Sequence, residues 1–237
     1  MRPVGFSTGA LARGDFRSGL QLLRAHGIDV VEISALRVNE LEPLAAALPT
    51  LDLSDFSFVS VHAPSRFPRE MEPWVLRQLG TIVQQNHPVV VHPDIIHTPA
   101  AWADFGQQVL IENMDKRKPI GRNVRELQGF FNALPEARFC FDIGHARQVD
   151  PSMTEASLLL HAFGDRLAEV HISEVNTASR HDPISLNAVE AFRWVAPYIP
   201  EDIAIVIESL IDQGQSDIRT EVDRARHALT EGRAVAI

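Results

Sequence analysis

Short, nearly unbroken apolar runs recur along the chain at Val4–Ser7, Val30–Ile33, Phe58–Val61, Val89–Val91, Val109–Ile111, Phe139–Phe141, Ala168–Ile172 and Ile203–Ile207. Strands covered on both faces of a parallel sheet show no polar alternation, and these runs read that way. Between them the apolar positions recur with a helical period. Asp15 is placed to cap a segment with Phe16, Leu20 and Leu23 on one face, ended by Gly27. Asn39 opens a second segment that Pro49 closes, and Pro73 suits the first turn of a third. Thr98-Pro99 has the same cap-then-proline form and predicts a helix after the fourth run. Further stripes are Val124/Leu127/Phe131/Leu134, Ala156/Leu159/Leu160/Phe163, Leu186/Val189/Phe192 and Ile218/Val222/Ala225/Leu229. Eight strands in strict alternation with eight helices predict a parallel sheet closed into a (β/α)8 TIM barrel. No linker or low-complexity tract interrupts the pattern, so the reading is a single α/β domain over residues 1–237.

Composition narrows the function. The 237 residues are 45% apolar and carry 31 acids against 22 bases, a formal net charge of −9. That balance speaks against a general nucleic-acid or anionic-membrane binder. The one cysteine, Cys140, lies in an apolar run, which points to packing and excludes an internal disulfide. The N-terminus lacks the apolar stretch of a signal peptide, and no run reaches the roughly 18 apolar residues of a membrane span. The expectation is a cytoplasmic protein with no membrane partner; nothing in the sequence sets its oligomeric state.

The residues that close the apolar runs carry the chemistry. Glu32 stands near the end of the second run. The next six end in His62, His92, Glu112, Asp142, His171 and Glu208, with His145 three residues beyond Asp142. In a parallel barrel these ends converge on one mouth. Carboxylates crowded there repel one another, and a divalent cation removes that cost.

At these residues the chain resembles the superfamily of xylose isomerase-like TIM barrels, which also holds sugar isomerases and epimerases and endonuclease IV-like enzymes of AP endonuclease family 2. The matching pieces are Val61-His62-Ala63-Pro64, Val91-His92-Pro93, Ile111-Glu112-Asn113-Met114, Phe141-Asp142-Ile143-Gly144-His145-Ala146, Val170-His171-Ile172-Ser173 and Ile207-Glu208-Ser209. The likeness to the isomerases and epimerases implies one metal on Glu112, Asp142, His171 and Glu208. The likeness to endonuclease IV implies a second on His62, His92 and Glu112, and a third on His145 and His181. For that third ion the pattern asks for an Asp where this chain has Ser179. The implied cofactor is one to three divalent ions per chain, Mn²⁺, Zn²⁺, Mg²⁺ or Co²⁺.

Three functions follow from this set. The first is isomerisation or epimerisation of a sugar, sugar phosphate or related hydroxy-carbonyl compound through an enediolate. Glu112 and Glu208 would act as base and acid, and His145 and Glu32 would orient the substrate. The only lysines, Lys116 and Lys118, lie beyond the fifth run, which disfavours the hydride shift of the xylose isomerases proper. The second is phosphodiester hydrolysis with two or three Zn²⁺, favoured by His62 and His92; only here would nucleic acid be a substrate. The third is a non-catalytic barrel that binds metal or ligand. Arg66, Arg69, Lys116, Arg117, Lys118, Arg122, Arg147 and Arg180 follow the strand ends and point to a small anionic or polyhydroxylated substrate. Among the substrate contacts we expect Lys116, Lys118, Arg147 and Arg180, with Trp102 lining the mouth.

Overall fold

The computed structural model describes residues 2–211 and 217–230. Eight parallel strands close into a barrel: β1 (Val4–Ser7), β2 (Val30–Ser34), β3 (Phe58–His62), β4 (Val89–Val91), β5 (Val109–Glu112), β6 (Arg138–Asp142), β7 (Leu167–Ile172) and, after the two-residue strands β8 (Glu174–Val175) and β9 (His181–Asp182), β10 (Ala204–Ile207). The ring closes where β1 pairs with β10, Phe6 lying opposite Ile207. The chain is a (β/α)8 TIM barrel, as the alternation predicts.

The helices are α1 (Thr8–Ala12), α2 (Phe16–Ala25), α3 (Val38–Ala47), α4 (Glu72–Val83), α5 (Val124–Ala133), α6 (Ile143–Val149), α7 (Thr154–Phe163), α8 (Leu186–Phe192) and α9 (Ile218–Ala228). Asp15 caps α2 by accepting from the Ser18 N–H, and Asn123 and Ser185 cap α5 and α8 in the same way. Asn39 does not open α3; that helix begins at Val38, and Glu40 accepts the Arg37 N–H.

The crossover from β4 to β5 departs from the expected helix. It holds only 3-10 turns, Pro93–Ile95, Pro99–Ala101 and Ala103–Gln108. Gly106 breaks the last with φ +52° and ψ −128°, outside the helical region. Glu72 at the start of α4 straps this segment down. Its buried Oε1 accepts from the N–H groups of His97 (2.7 Å) and Thr98 (3.0 Å) and from Trp102 Nε1 (2.9 Å). Glu72→Ala strands three donors and is expected to cost about 3 kcal/mol of folding stability, read as a lower urea midpoint with metal uptake unchanged.

Helices and strands share one outer core, in which Phe131, Phe139 and Phe163 pack with ring centroids 4.5–6.0 Å apart. Inside the barrel, two small apolar groups form a floor: Val90, Leu110, Cys140 and Ala168, and Val30, Ala204 and Val206. Alternate residues of a strand share a face. The residues two further along, among them His92, Glu112, Asp142, Glu208 and Glu32, therefore also point inward, toward the mouth.

Candidate metal centre

Two devices hold the mouth in register. Asn113, just past β5, accepts the Asp142 N–H and donates to the Asp142 carbonyl, each at 2.8 Å, and so ties the ends of β5 and β6 together. Asp142 Oδ1 caps α6 by accepting the His145 N–H at 2.6 Å, which leaves Oδ2 directed into the mouth. Gly144 is required in this turn, since a Cβ there would sit 2.4 Å from the Ser173 carbonyl oxygen.

The side chains form three overlapping groups whose ligand atoms lie within 4.8 Å of one another: His62, His92 and Glu112; Glu112, Asp142, His171 and Glu208; and Asp142, His145 and His181. Glu112 joins the first two groups and Asp142 the last two. Glu112 Oε2 lies 3.4 Å from His62 Nε2 and 3.2 Å from His92 Nε2. His171 Nδ1 is 3.6 Å from both Glu112 Oε1 and Glu208 Oε2, and His181 Nδ1 is 3.3 Å from Glu208 Oε2. Two ligands of one tetrahedral Zn²⁺ stand about 3.3–3.6 Å apart, and these separations fall in or near that range. His62 Nδ1 donates to the Ala63 carbonyl at 2.7 Å, so that ring keeps Nε2 for a cation, while His145 Nδ1 lies 3.0 Å from the Asn113 carbonyl and 3.2 Å from both Glu112 Oε1 and Asp142 Oδ2. Glu112 Oε2, Asp142 Oδ2 and His171 Nδ1 are buried without a hydrogen-bond partner. Orphaned donor atoms converging in this way fit a divalent cation.

The electrostatics of the metal-free mouth point the same way. Burial works to lower the His62 and His145 pKa values, but the surrounding carboxylates outweigh it and lift them to about 9 and about 10. Burial raises Asp142 to about 8, with Glu208 and Glu112 adding to the effect. Burial also pushes Glu112 up, yet the four imidazoles around it hold it well below the carboxylate range. Desolvation dominates at His92 and His181, which are lowered. The ring thus holds protons where a cation would otherwise supply positive charge.

The expected substrate contacts divide. A cavity of about 480 Å³ opens above the ring, lined by His62, His92, Glu112, His145, His181, Glu208, Arg66, Arg117, Lys118 and Arg180, with Leu36, Met114 and Leu210 as an apolar side. Lys118 reaches it, but its ammonium is held by both Asp94 oxygens at 2.9 Å and by the Ser65 carbonyl. Arg117 is tied to Asp115. Arg147 pairs with Glu174 at 2.9 Å and does not line the cavity, and Lys116 is an exposed residue outside it. Trp102 is fully buried on Phe105 with its indole N–H on Glu72, so it packs the β4–β5 crossover and does not line the mouth. Glu32 lies below the cavity beside His171, out of reach of a substrate. The β8–β9 hairpin delivers His181, the ligand named from the resemblance, whereas Glu169, inward-facing on β7 where it joins Glu32 and His171, lay beyond sequence reasoning. Asp142 supplies the acid for the group of His145 and His181, where Ser179 removes one.

No family model matches the sequence, and no curated protein matches it. Solved structures do. A 3-keto-D-glucoside 4-epimerase from E. coli superposes with a TM-score of 0.60 at 14% identity, covering 96% of this chain and 99% of that one. D-psicose 3-epimerase from Clostridium cellulolyticum H10, solved with D-tagatose, gives 0.56 at 13%, covering 97% and 96%. A xylose isomerase-like TIM barrel protein from Mycobacterium smegmatis in complex with magnesium gives 0.59 at 11%, covering 97% and 96%. At such identities the likeness is one of fold, and the chain has the fold of the xylose isomerase-like TIM barrels.

Proposed function

We propose that this barrel is a divalent-metal-dependent isomerase or epimerase of a small polyhydroxylated carbonyl compound, a sugar or sugar phosphate. The observation that carries this reading is the convergence of Glu112 and Glu208, from β5 and from the end of β10, on one group with Asp142 and His171, the two glutamates lining the cavity above. Those four residues would hold the cation, which when bound supplies a Lewis acid for a carbonyl and its neighbouring hydroxyl. Glu112 and Glu208 reach the substrate from different sides. One takes the proton from the carbon beside the carbonyl and the other returns it. His145 stands beside Asp142 and holds the substrate hydroxyl. The epimerase structures of the same fold support the choice of substrate class.

The test is proton exchange. Metal-loaded protein incubated with ketoses and ketose phosphates in D2O is expected to place deuterium on the carbon beside the carbonyl, and Glu208→Gln to abolish it. Absence of exchange across the panel, together with cleavage of bis(p-nitrophenyl) phosphate or abasic DNA by protein holding two or three Zn²⁺, would establish the hydrolase instead. The His62–His92–Glu112 group is the observation that favours that second reading.

The rim adds a specificity expectation. Among the cations lining the cavity, Lys118 and Arg117 are neutralised by acids, while Arg66 and Arg180 make no ion pair among the described residues. Replacing both by Ala is expected to raise KM for an anionic substrate about tenfold and leave kcat within about threefold, as removal of uniform binding does.

A further inference from the structure

Beneath the mouth, a second group of metal-binding side chains lies inside the barrel. Glu32 of β2 and Glu169 and His171 of β7 are fully buried, with ligand atoms within 4.8 Å of one another. His171 faces both groups. Its Nδ1 turns to Glu112 and Glu208, and its Nε2 lies 3.2 Å from Glu32 Oε2 and 3.4 Å from Glu169 Oε1. Ser60 donates to Glu169 Oε1 at 2.9 Å, which holds that carboxylate in place. A register shift in the β6–β7 pairing, where Phe139 meets Leu167 but Cys140 meets Glu169, turns Glu169 inward next to Ala168.

Two observations set this group apart from ordinary ion pairing. Both oxygens of Glu32, Oε2 of Glu169 and Nε2 of His171 lack a hydrogen-bond partner. A charge-assisted N–H···O bond is about 2.7–2.9 Å long, whereas these contacts, at 3.2 and 3.4 Å, are longer and close to the spacing of two ligands on one cation. Among the described residues, His171 is the only basic side chain within ion-pair distance of either carboxylate; His62 acts on Glu32 from farther away, and no Lys or Arg pairs with them. Carboxylates this deeply buried persist when they are paired or when they coordinate a metal.

We propose that Glu32, Glu169 and His171 Nε2 form an inner cation site, distinct from the mouth, for a borderline divalent ion such as Zn²⁺. Two carboxylates and one imidazole match its preferred donors, and its two charges balance the two carboxylates. His171 would then serve both sites, Nδ1 at the mouth and Nε2 at the inner site, and ligating through both nitrogens would require the ring to lose both of its protons. A fully buried ion exchanges slowly, so it is expected to outlast a brief chelator treatment that clears the mouth.

Anomalous scattering at the zinc edge from crystals of Zn²⁺-loaded protein tests this directly. The expected result is a peak about 2.0–2.2 Å from Glu32, Glu169 and His171 Nε2. In solution, Glu32→Gln/Glu169→Gln is expected to hold one Zn²⁺ fewer per chain than the parent, with unchanged circular dichroism and the mouth ions retained. A filled mouth with no peak between Glu32 and Glu169 overturns the proposal. So does a folded double variant that keeps the full complement but binds it more weakly, since the pair would then only support His171 through hydrogen bonds. Should the double variant fail to fold, the map of the parent protein decides alone.

Discussion

Glu112→Gln is expected to strip metal from the mouth and abolish turnover. Glu112 is the one side chain shared by the His62/His92 group and the Asp142/His171/Glu208 group. Its two oxygens face different partners, Oε2 toward His62 and His92 and Oε1 toward His171. The amide has the same shape but keeps a single acceptor oxygen and no charge. Whichever way it turns, one group loses its carboxylate oxygen and gains an N–H₂ aimed at imidazole nitrogens. Metal affinity is expected to fall by roughly 10²–10³-fold and kcat/KM by about 10⁴-fold, since the residue would serve both as ligand and as proton carrier. Glu208→Gln removes a ligand from one group only and is expected to keep metal on His62, His92 and Glu112. Equilibrium dialysis against Mn²⁺ and Zn²⁺ compares the two variants, and a Glu112→Gln protein that retains its full metal content would remove Glu112 from the ligand set.

The mouth was legible because of the way parallel barrels are built. Strands covered on both faces leave long apolar runs, and the first polar residue after each run marks a strand end. Closure then gathers those ends without any further sequence signal, which is why His62, His92, Glu112, Asp142, His171 and Glu208 meet as expected. What lies off that logic was hidden. Glu169 sits inside an apolar run, and only the register shift beside it turns the side chain inward next to Ala168. Thr98-Pro99 carries a helix-start signal that Gly106 and the Glu72 strap override. Trp102 follows a strand end closely in sequence, yet that same strap carries it under the crossover, away from the substrate. Lys118 and Arg147 stand after strand ends as a substrate contact would, but Asp94 and Glu174 neutralise them, and charge partners distant in sequence cannot be read from spacing. Arg66 and Arg180 remain because nothing among the described residues claims them.

Metal uptake is expected to be coupled to proton release, so that the metal-free protein loses stability as pH rises while the metal-loaded protein keeps it. In the metal-free protein His62 and His145 are lifted from 6.5 to about 9 and about 10. A raised folded pKa means that the native state holds the proton more tightly. The stabilisation is full below pH 6.5 and is lost as pH climbs through 9 and 10. For His62 it is on the order of 3 kcal/mol. Asp142, raised from 3.8 to about 8, acts with the same sign, costing stability as pH rises from about 4 to 8. His92 and His181 are lowered and oppose this trend below pH 6.5, so the decline is clearest above that value. A cation must displace the very protons that stabilise the empty ring. Binding at the Asp142/His171 group releases one to two protons near neutral pH, so affinity is expected to strengthen about 10–100-fold per pH unit between 6.5 and 8. Isothermal titration in two buffers of different ionisation enthalpy counts those protons. Thermal unfolding from pH 6.5 to 9.5 is expected to show Tm falling for the chelated protein and staying nearly level at a fixed excess of metal, because the growing affinity offsets the stability that the empty ring loses with its protons. Parallel slopes in the two series, with no proton released on binding, would mean that the cation does not enter the histidine–carboxylate ring.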